Sequence, residues 1–231
     1  MQLVVLGLNH RTAPVGVREC FSFPEEQIKM MLRRFQRMDR WCEGVILSTC
    51  NRTELYAVVE DAQEDLGVIK RLLARMAGEQ YDEAYFYCLL DEACIRHLFR
   101  VSASLDSLVV GEGQILSQVK AAYALARSMG TTGIMLNTLF NRAIAVGKRV
   151  RTDTRIAYNS VSVSSAAVEL AKKITGDLTL ASVLVVGAGK MAELTAQHLI
   201  ENGVSTIFVS NRNSERAKAL ATRFHGIAIP F

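Results

Sequence analysis

Val45-Ile46-Leu47-Ser48-Thr49-Cys50-Asn51-Arg52-Thr53-Glu54 sets an apolar run against a polar, charged segment, with one cysteine at the join. The run over residues 44–49 reads as a buried strand that delivers Cys50 at its end. If the chain stays extended from Cys50 to Glu54, the two-residue period puts Cys50, Arg52 and Glu54 on one face. The thiolate is the reactive form of cysteine, and a free thiol, with a pKa of about 8.5, is mostly protonated at neutral pH. A guanidinium beside it favours the anion, so Cys50 next to Arg52 is a candidate nucleophile. Taken alone, the same residue would be a small, partly buried cysteine at a strand end.

Outward from this stretch the pattern alternates. Residues 3–8 form a first apolar run, and Asn9-His10-Arg11-Thr12-Ala13-Pro14 ends it in a loop. Ser22 and Glu25 make an S-x-x-E capping box ahead of a helix carrying Ile28, Met31, Leu32, Phe35 and Met38. Beyond the cysteine, residues 55–59 read as a strand. Leu66, Ile69, Leu72, Leu73 and Met76 mark a second helix, and residues 81–90 a fourth strand. The order β-α-β-β-α-β is that of a ferredoxin-like split βαβ unit, an α+β fold with Cys50 at the junction of its second and third strands. Residues 92–101 with His97, residues 114–128 and the row Leu136, Leu139, Phe140, Ala143, Ile144, Gly147 and Val150 then add helices to this domain.

The chain has 231 residues, enough for one large or two small domains, and its 50% hydrophobic and 22% charged content is that of a globular protein. A net charge of +4 is mild, although Lys148, Arg149, Arg151 and Arg155 crowd one segment that would suit a polyanion or simply a solvated helix face. The cysteines at 20, 42, 50, 88 and 94 are odd in number and contain no C-x-x-C pair. That argues against a disulfide framework or zinc ribbon and for a reducing, cytoplasmic setting. No apolar run reaches spanning length and the N-terminus lacks a signal-peptide pattern, so no membrane is expected.

The first domain is expected over residues 1–154 and a second over 155–231, because periodicity fades and hydroxyls accumulate near residues 151–165. In the second, a Val-rich strand breaks into Gly187-Ala188-Gly189-Lys190-Met191-Ala192 and opens a helix. A lone G-x-G-x-x-A is weak, but between strand and helix it is the dinucleotide fingerprint of a Rossmann-like fold. The next strand, residues 206–210, runs into Asn211 and Arg212 with no acidic residue for a ribose hydroxyl. Arginine there suits a 2′-phosphate, which favours NADP over NAD. The sequence ends about two β-α units into this fold, so the domain is expected to be incomplete.

Six segments in this order resemble the glutamyl-tRNA reductase family: G-L-N-H-R-T-A-P-V at 7–15, S-T-C-N-R-T-E-L-Y at 48–56, the run H-L-F-R through Q-V-K at 97–120, K-R-V-R-T-D-T at 148–154, V-L-V-V-G-A-G-K-M at 183–191 and S-N-R-N-S-E-R-A at 210–217. The resemblance implies an NADPH-dependent oxidoreductase that makes glutamate-1-semialdehyde from glutamyl-tRNA, the first step of tetrapyrrole synthesis. It implies that Cys50 holds glutamate as a thioester. It makes Thr49, Asn51 and Arg52 one substrate-binding segment, with Arg52 pairing the glutamate carboxylate. Ser107, Glu112, Gly113, Gln114 and Gln118 become the second, with Glu112 near the α-ammonium group. His97 becomes a residue important for activity, with a histidine's capacity to orient substrate or move a proton. The family's partners would be glutamyl-tRNA, a second copy of the full-length chain and glutamate-1-semialdehyde aminomutase.

Three departures from the family pattern lie near the second segment: Ser104 and Ser117 stand where glycine is usual, and Gly113 where proline is common. Two further readings compete. One is a tRNA-binding or assembly module carried by the basic residues 148–155. The other is a metal site from Cys50, Cys94 and His97, which lacks ligand spacing, so no metal is expected.

Overall fold

The computed structural model describes residues 1–37, 41–78, 82–154, 156 and 163–231. The chain divides into two compact units, Met1–Ser160 and Val161–Phe231. The first contains β1 (Gln2–Asn9), α1 (Val15–Cys20), α2 (Glu25–Phe35), β2 (Trp41–Ser48), β3 (Arg52–Val59), α3 (Ala62–Ala77), β4 (Tyr87–Leu90), α4 (Asp91–Ser102), α5 (Gln114–Ser128) and α6 (Ile134–Asp153).

The four strands pair antiparallel in the order β2-β3-β1-β4. β3 thus inserts between β1 and β2, and β1 between β3 and β4, as the split βαβ arrangement requires. Every position of β3 is buried, so both faces of the sheet are covered, unlike a simple two-layer sheet with one wet face. Alternation assigns the faces. Thr53 donates its hydroxyl to Phe21 O at 2.7 Å on one side. Tyr56 meets Phe140 of α6 edge-on at 5.4 Å on the other. Arg52, Glu54 and Tyr56 therefore point under the added helices α4 to α6.

Several local expectations change. The capping box does not form: α2 begins at Glu25 with Pro24 in the cap position and no side-chain cap bond. Proline fixes its own φ and starts the helix after itself, and Glu25 and Glu26 then favour the helix dipole in the first turn. The loop expected after residue 9 contains the short helix α1. The fourth strand shortens to four residues, because Asp82 accepts from Ala84 N at 2.9 Å and caps a 3-10 turn, Glu83–Tyr85. Met38 and Tyr81, assigned to a helix and a strand, lie outside the described residues, as does Arg155, which the basic segment included.

The second unit contains α7 (Val163–Thr175), β5 (Ser182–Val186), α8 (Lys190–Glu201), β6 (Thr206–Ser210), α9 (Ser214–Arg223) and β7 (Ile227–Ile229). Its strands are parallel in the order β5-β6-β7, the sequential half of a dinucleotide-binding sheet. Its own core is built from residues such as Val168, Val185, Ala196, Leu199, Val209 and Leu220. Among the described residues no helix is long and apolar enough to cross a membrane.

Candidate active site

The β2–β3 connection is a tight hairpin. Thr49 N donates to Arg52 O at 2.8 Å, and the Thr49 hydroxyl accepts from Asn51 N at 3.2 Å and Arg52 N at 3.1 Å. A threonine oxygen that captures two downstream amides is the local chemistry that closes such a turn. The chain is thus not extended from Cys50 to Glu54. Cys50 and Asn51 form the tip, and Cys50 is exposed. Arg52 and Glu54 share the buried face without it, so the expected trio of Cys50, Arg52 and Glu54 is divided.

The tip is tied down by the segment that leaves β1 at the same end of the sheet, where Asn9 pairs with Arg52. His10 N donates to Asn51 O at 3.0 Å, and Arg18 Nη1 donates to Cys50 O at 3.1 Å and to Asn51 Oδ1 at 2.8 Å. His10 Nδ1 is buried without a partner among the described residues. Burial, then the Arg52 and Arg11 charges, hold this imidazole below its ordinary pKa.

Beneath the turn lies a charged cluster centred on Glu54, which is 0% exposed. Its Oε1 accepts from Arg52 Nη1 at 2.7 Å, Tyr87 Oη at 2.5 Å and His97 Nε2 at 2.9 Å, and its Oε2 accepts from Tyr56 Oη at 2.6 Å. Burial alone would raise the Glu54 carboxyl, but the Arg52 charge and the hydrogen bonds from His97 and Tyr56 hold it well below the usual carboxylate range. Burial, then the Glu54 charge, pushes Tyr56 and Tyr87 well above the usual phenol value, so both remain donors. The second Arg52 nitrogen, Nη2, donates to the backbone oxygen of Asp106 and lies 3.2 Å from its Oδ1. Arg11 stands 3.5 Å from the other Asp106 oxygen. The Arg52 fork is already held by two carboxylates, so a substrate carboxylate that used it would have to displace Asp106.

A cavity of about 30 Å³ opens at the tip, lined by Thr49, Cys50, Asn51, Arg52, Ser107, Leu108, Glu112, Gln114, Ile115 and Gln118. Both substrate-binding segments expected from the sequence meet here, apart from Gly113. That glycine precedes α5 with φ −70° and is exposed. Ser107 is 5% exposed, and its Oγ has no hydrogen-bond partner among the described residues. A buried hydroxyl left open beside a cavity is a ready contact for a ligand. A larger groove of about 580 Å³ between α2, β2 and α5 shares Gln118 with this cavity.

His97 is not among the cavity-lining residues. It sits on α4, hydrogen-bonded to Glu54 behind Arg52, with Tyr87 Oη 3.4 Å away. Ser104 adopts φ +62°, the left-handed region where glycine is favoured. Its hydroxyl donates to Glu112 O at 2.7 Å, and Arg151 Nη2 reaches both groups, at 3.1 Å from Ser104 Oγ and 2.8 Å from Glu112 O. Arg151 of the basic segment is therefore engaged inside the unit, and Arg149 pairs with Asp153 at 2.9 Å. Among the described residues no group of three or more His, Cys, Asp and Glu gathers to hold a metal, and Cys94 is buried whereas Cys50 is exposed.

In the second unit Gly187 closes the turn after β5, with φ +110° and its N–H donating to Ser210 O at 2.7 Å. Only glycine takes this conformation readily. A Cβ on Gly187 or Gly189 would meet nothing within 4 Å, so the backbone faces open space at the N-terminus of α8, where free amides favour a phosphate. Ala188 and Ala192 pack against the core, and Met191 is partly exposed. The Lys190 side chain lies outside the described features. Asn211 and Arg212 line a cavity of about 490 Å³ together with Ser214 and Lys218.

Residues 6–154 match the family model for the N-terminal domain of glutamyl-tRNAGlu reductase. The chain belongs to the glutamyl-tRNA reductase family. Residues 169–231 match the shikimate/quinate 5-dehydrogenase model, a dinucleotide-binding fold. The glutamyl-tRNA reductase of Geobacter sulfurreducens is 49% identical over 233 residues, covering 100% of this chain and 54% of its own. That of Pelotomaculum thermopropionicum is 51% identical over 235 residues, covering 100% and 52%. The solved glutamyl-tRNA reductase of Methanopyrus kandleri superposes with a TM-score of 0.64 at 39% identity, covering 99% of this chain and 54% of that one. The chain thus spans about half the length of the relatives it matches.

Sequence reasoning missed Glu54 as a hub and missed Tyr56, Tyr87, Asp106, Arg11 and Arg18 altogether. Only Tyr56 carried a signal, since it continues the alternation Arg52, Glu54 on one strand face. The others come from distant segments and meet only in the fold.

Proposed function

We propose that this chain supplies the glutamate-recognition and acyl-transfer part, and the beginning of the NADPH-binding part, of an enzyme that reduces glutamyl-tRNA to glutamate-1-semialdehyde in the first step of tetrapyrrole synthesis. The observation that carries this reading is the single cavity shared by Cys50 and the polar residues of the two segments. In the reaction, Cys50 Sγ attacks the α-carbonyl of the glutamyl ester. A C–S bond forms, the ester C–O bond breaks, and the tRNA leaves with its terminal hydroxyl reprotonated. An exposed thiol at a hairpin tip suits a bulky RNA ester, because the acyl group is reached without the tRNA entering the fold. Ser107 Oγ and the side chains of Gln114 and Gln118, four residues apart on one face of α5, orient the glutamyl group, and Glu112 faces its ammonium.

The turn at Gly187 and Gly189 and the Arg212 cavity fit a dinucleotide with a 2′-phosphate. Bound there, NADPH would supply the hydride that turns the thioester into the aldehyde and frees the thiol. The same reading takes glutamyl-tRNA and a second copy of the full-length chain as partners, with glutamate-1-semialdehyde aminomutase receiving the product in the cytoplasm. The test mixes the chain with radiolabelled glutamyl-tRNA in the absence of NADPH. Protein-bound label that survives denaturation, is released by hydroxylamine and is lost in Cys50→Ser is the expected result. Equal labelling of Cys50→Ser overturns it.

A further inference from the structure

Arg52 is the cation that the sequence sets closest to Cys50, yet its guanidinium is neutralised by Glu54 and Asp106. Arg11 likewise faces Asp106. Arg18 differs from both. It sits on α1, 32 positions before the cysteine, and its three acceptors among the described residues are neutral oxygens: Cys50 O at 3.1 Å, Asn51 Oδ1 at 2.8 Å and Ala13 O at 3.2 Å. These contacts hold the side chain without cancelling its charge.

We propose that Arg18 is the positioning residue of the nucleophile-bearing turn, fixing the tip at Cys50 and Asn51 and keeping a permanent positive charge beside the thiol. A hairpin tip is where a chain is least constrained, and exposed Cys50 cannot be oriented by packing. Arg18 meets this need with a planar, positively charged fork of N–H donors. One nitrogen bridges the main chain of Cys50 to the side chain of Asn51, so the two tip residues move as a unit. Another anchors the fork to Ala13, in the loop after β1. The charge also matters for the incoming ester, which arrives on a polyanion and develops an oxyanion as sulfur attacks. The role in acyl transfer rests on Cys50 being the acceptor, whereas the charge beside the thiol does not.

The test separates charge from folding by using two alkylating reagents of similar size, neutral iodoacetamide and anionic iodoacetate, with modification followed peptide by peptide. Exposed Cys42 and Cys88 serve as references in the same sample. In Arg18→Gln the iodoacetate-to-iodoacetamide rate ratio at Cys50 should fall by about threefold to fivefold, the effect of one charge a few ångströms away through water. It should stay unchanged at Cys42 and Cys88, and Arg18→Lys should restore most of it. A loosened fold changes the rates of both reagents together and leaves the ratio in place. With glutamyl-tRNA, Arg18→Gln should slow thioester formation at saturating substrate by about tenfold or more, with partial recovery in Arg18→Lys. An unchanged ratio at Cys50, or wild-type thioester formation in Arg18→Gln, overturns the proposal. Labelling that persists in Cys50→Ser overturns the acyl-transfer reading instead, whatever the alkylation ratio does.

Discussion

Arg52 and Glu54, two residues apart on β3, form an ion pair of 2.7 Å whose side chains are 1% and 0% exposed. Removing one partner of a buried pair leaves the other charge without compensation, at about 3–5 kcal/mol. Glu54→Gln should therefore destabilise the first unit by roughly that amount at pH 7. The Glu54 carboxyl is held below its ordinary value of 4.5, so its contribution is present above that pH and is lost as the pH falls toward the folded value. Urea unfolding followed by circular dichroism should show wild type and Glu54→Gln well separated at pH 7 and drawing together in acid. A gap that is constant with pH would mean that the loss is one of packing.

His97 donates to Glu54 and does not line the Cys50 cavity. A group that steadies Arg52 from behind affects the reacting atoms only at second hand. His97→Asn should keep thioester formation within about tenfold of wild type, less than the 10²–10⁴-fold typical of a lost general acid or base. A loss of a thousandfold with an intact fold would put the imidazole in contact with the substrate.

Gly113 departs from the proline common in the family, yet its φ of −70° is the value proline prefers. A Cβ placed there meets nothing within 4 Å. Gly113→Pro should stabilise the protein by about 0.4–1 kcal/mol by narrowing the unfolded ensemble, with thioester formation unchanged because residue 113 does not line the cavity. Thermal unfolding of the two proteins decides this, and a lower midpoint for the variant would contradict it.

What the sequence could convey follows from the range of each signal. Two-residue and helical periodicities place β1, α5 and β6 closely, since they depend only on neighbours, whereas β3, expected over residues 55–59, begins three residues earlier at Arg52. The strand-turn-helix context identifies the dinucleotide fold for the same reason. The geometry at Cys50 was misjudged because the thiol sits in a turn closed by the Thr49 hydroxyl, where extension was expected. Arg52 reads as a free cation until Asp106, 54 positions away, is seen on its other nitrogen. The glycine usual in the family at position 104 hints at the left-handed backbone there, but the contacts of the Ser104 hydroxyl with Glu112 and Arg151 are seen only in the fold. The turn is set by a local hydroxyl that competes with the strand pattern, whereas the contacts of Arg52 and Ser104 are set by polar partners across longer separations that no local pattern encodes.

Arg212 follows β6, whose neighbour β5 leads into the glycine turn, and it lines the cavity of about 490 Å³ with Lys218 nearby. Lys218 already pairs with Glu215 at 3.0 Å, which partly offsets its charge, whereas Arg212 is set at the end of the strand where a ribose 2′-substituent is read in this fold. A phosphate there gains a charge-assisted contact that a plain hydroxyl does not. Arg212→Glu should accordingly weaken binding of 2′,5′-ADP by about tenfold or more, from loss of one such contact and gain of a like charge, while leaving 5′-AMP binding nearly unaltered. Calorimetric titration of both nucleotides into the chain and its variant measures this. Equal losses for the two would mean that the variant has disturbed the fold of the unit, and unchanged 2′,5′-ADP affinity would remove Arg212 from the 2′-phosphate site.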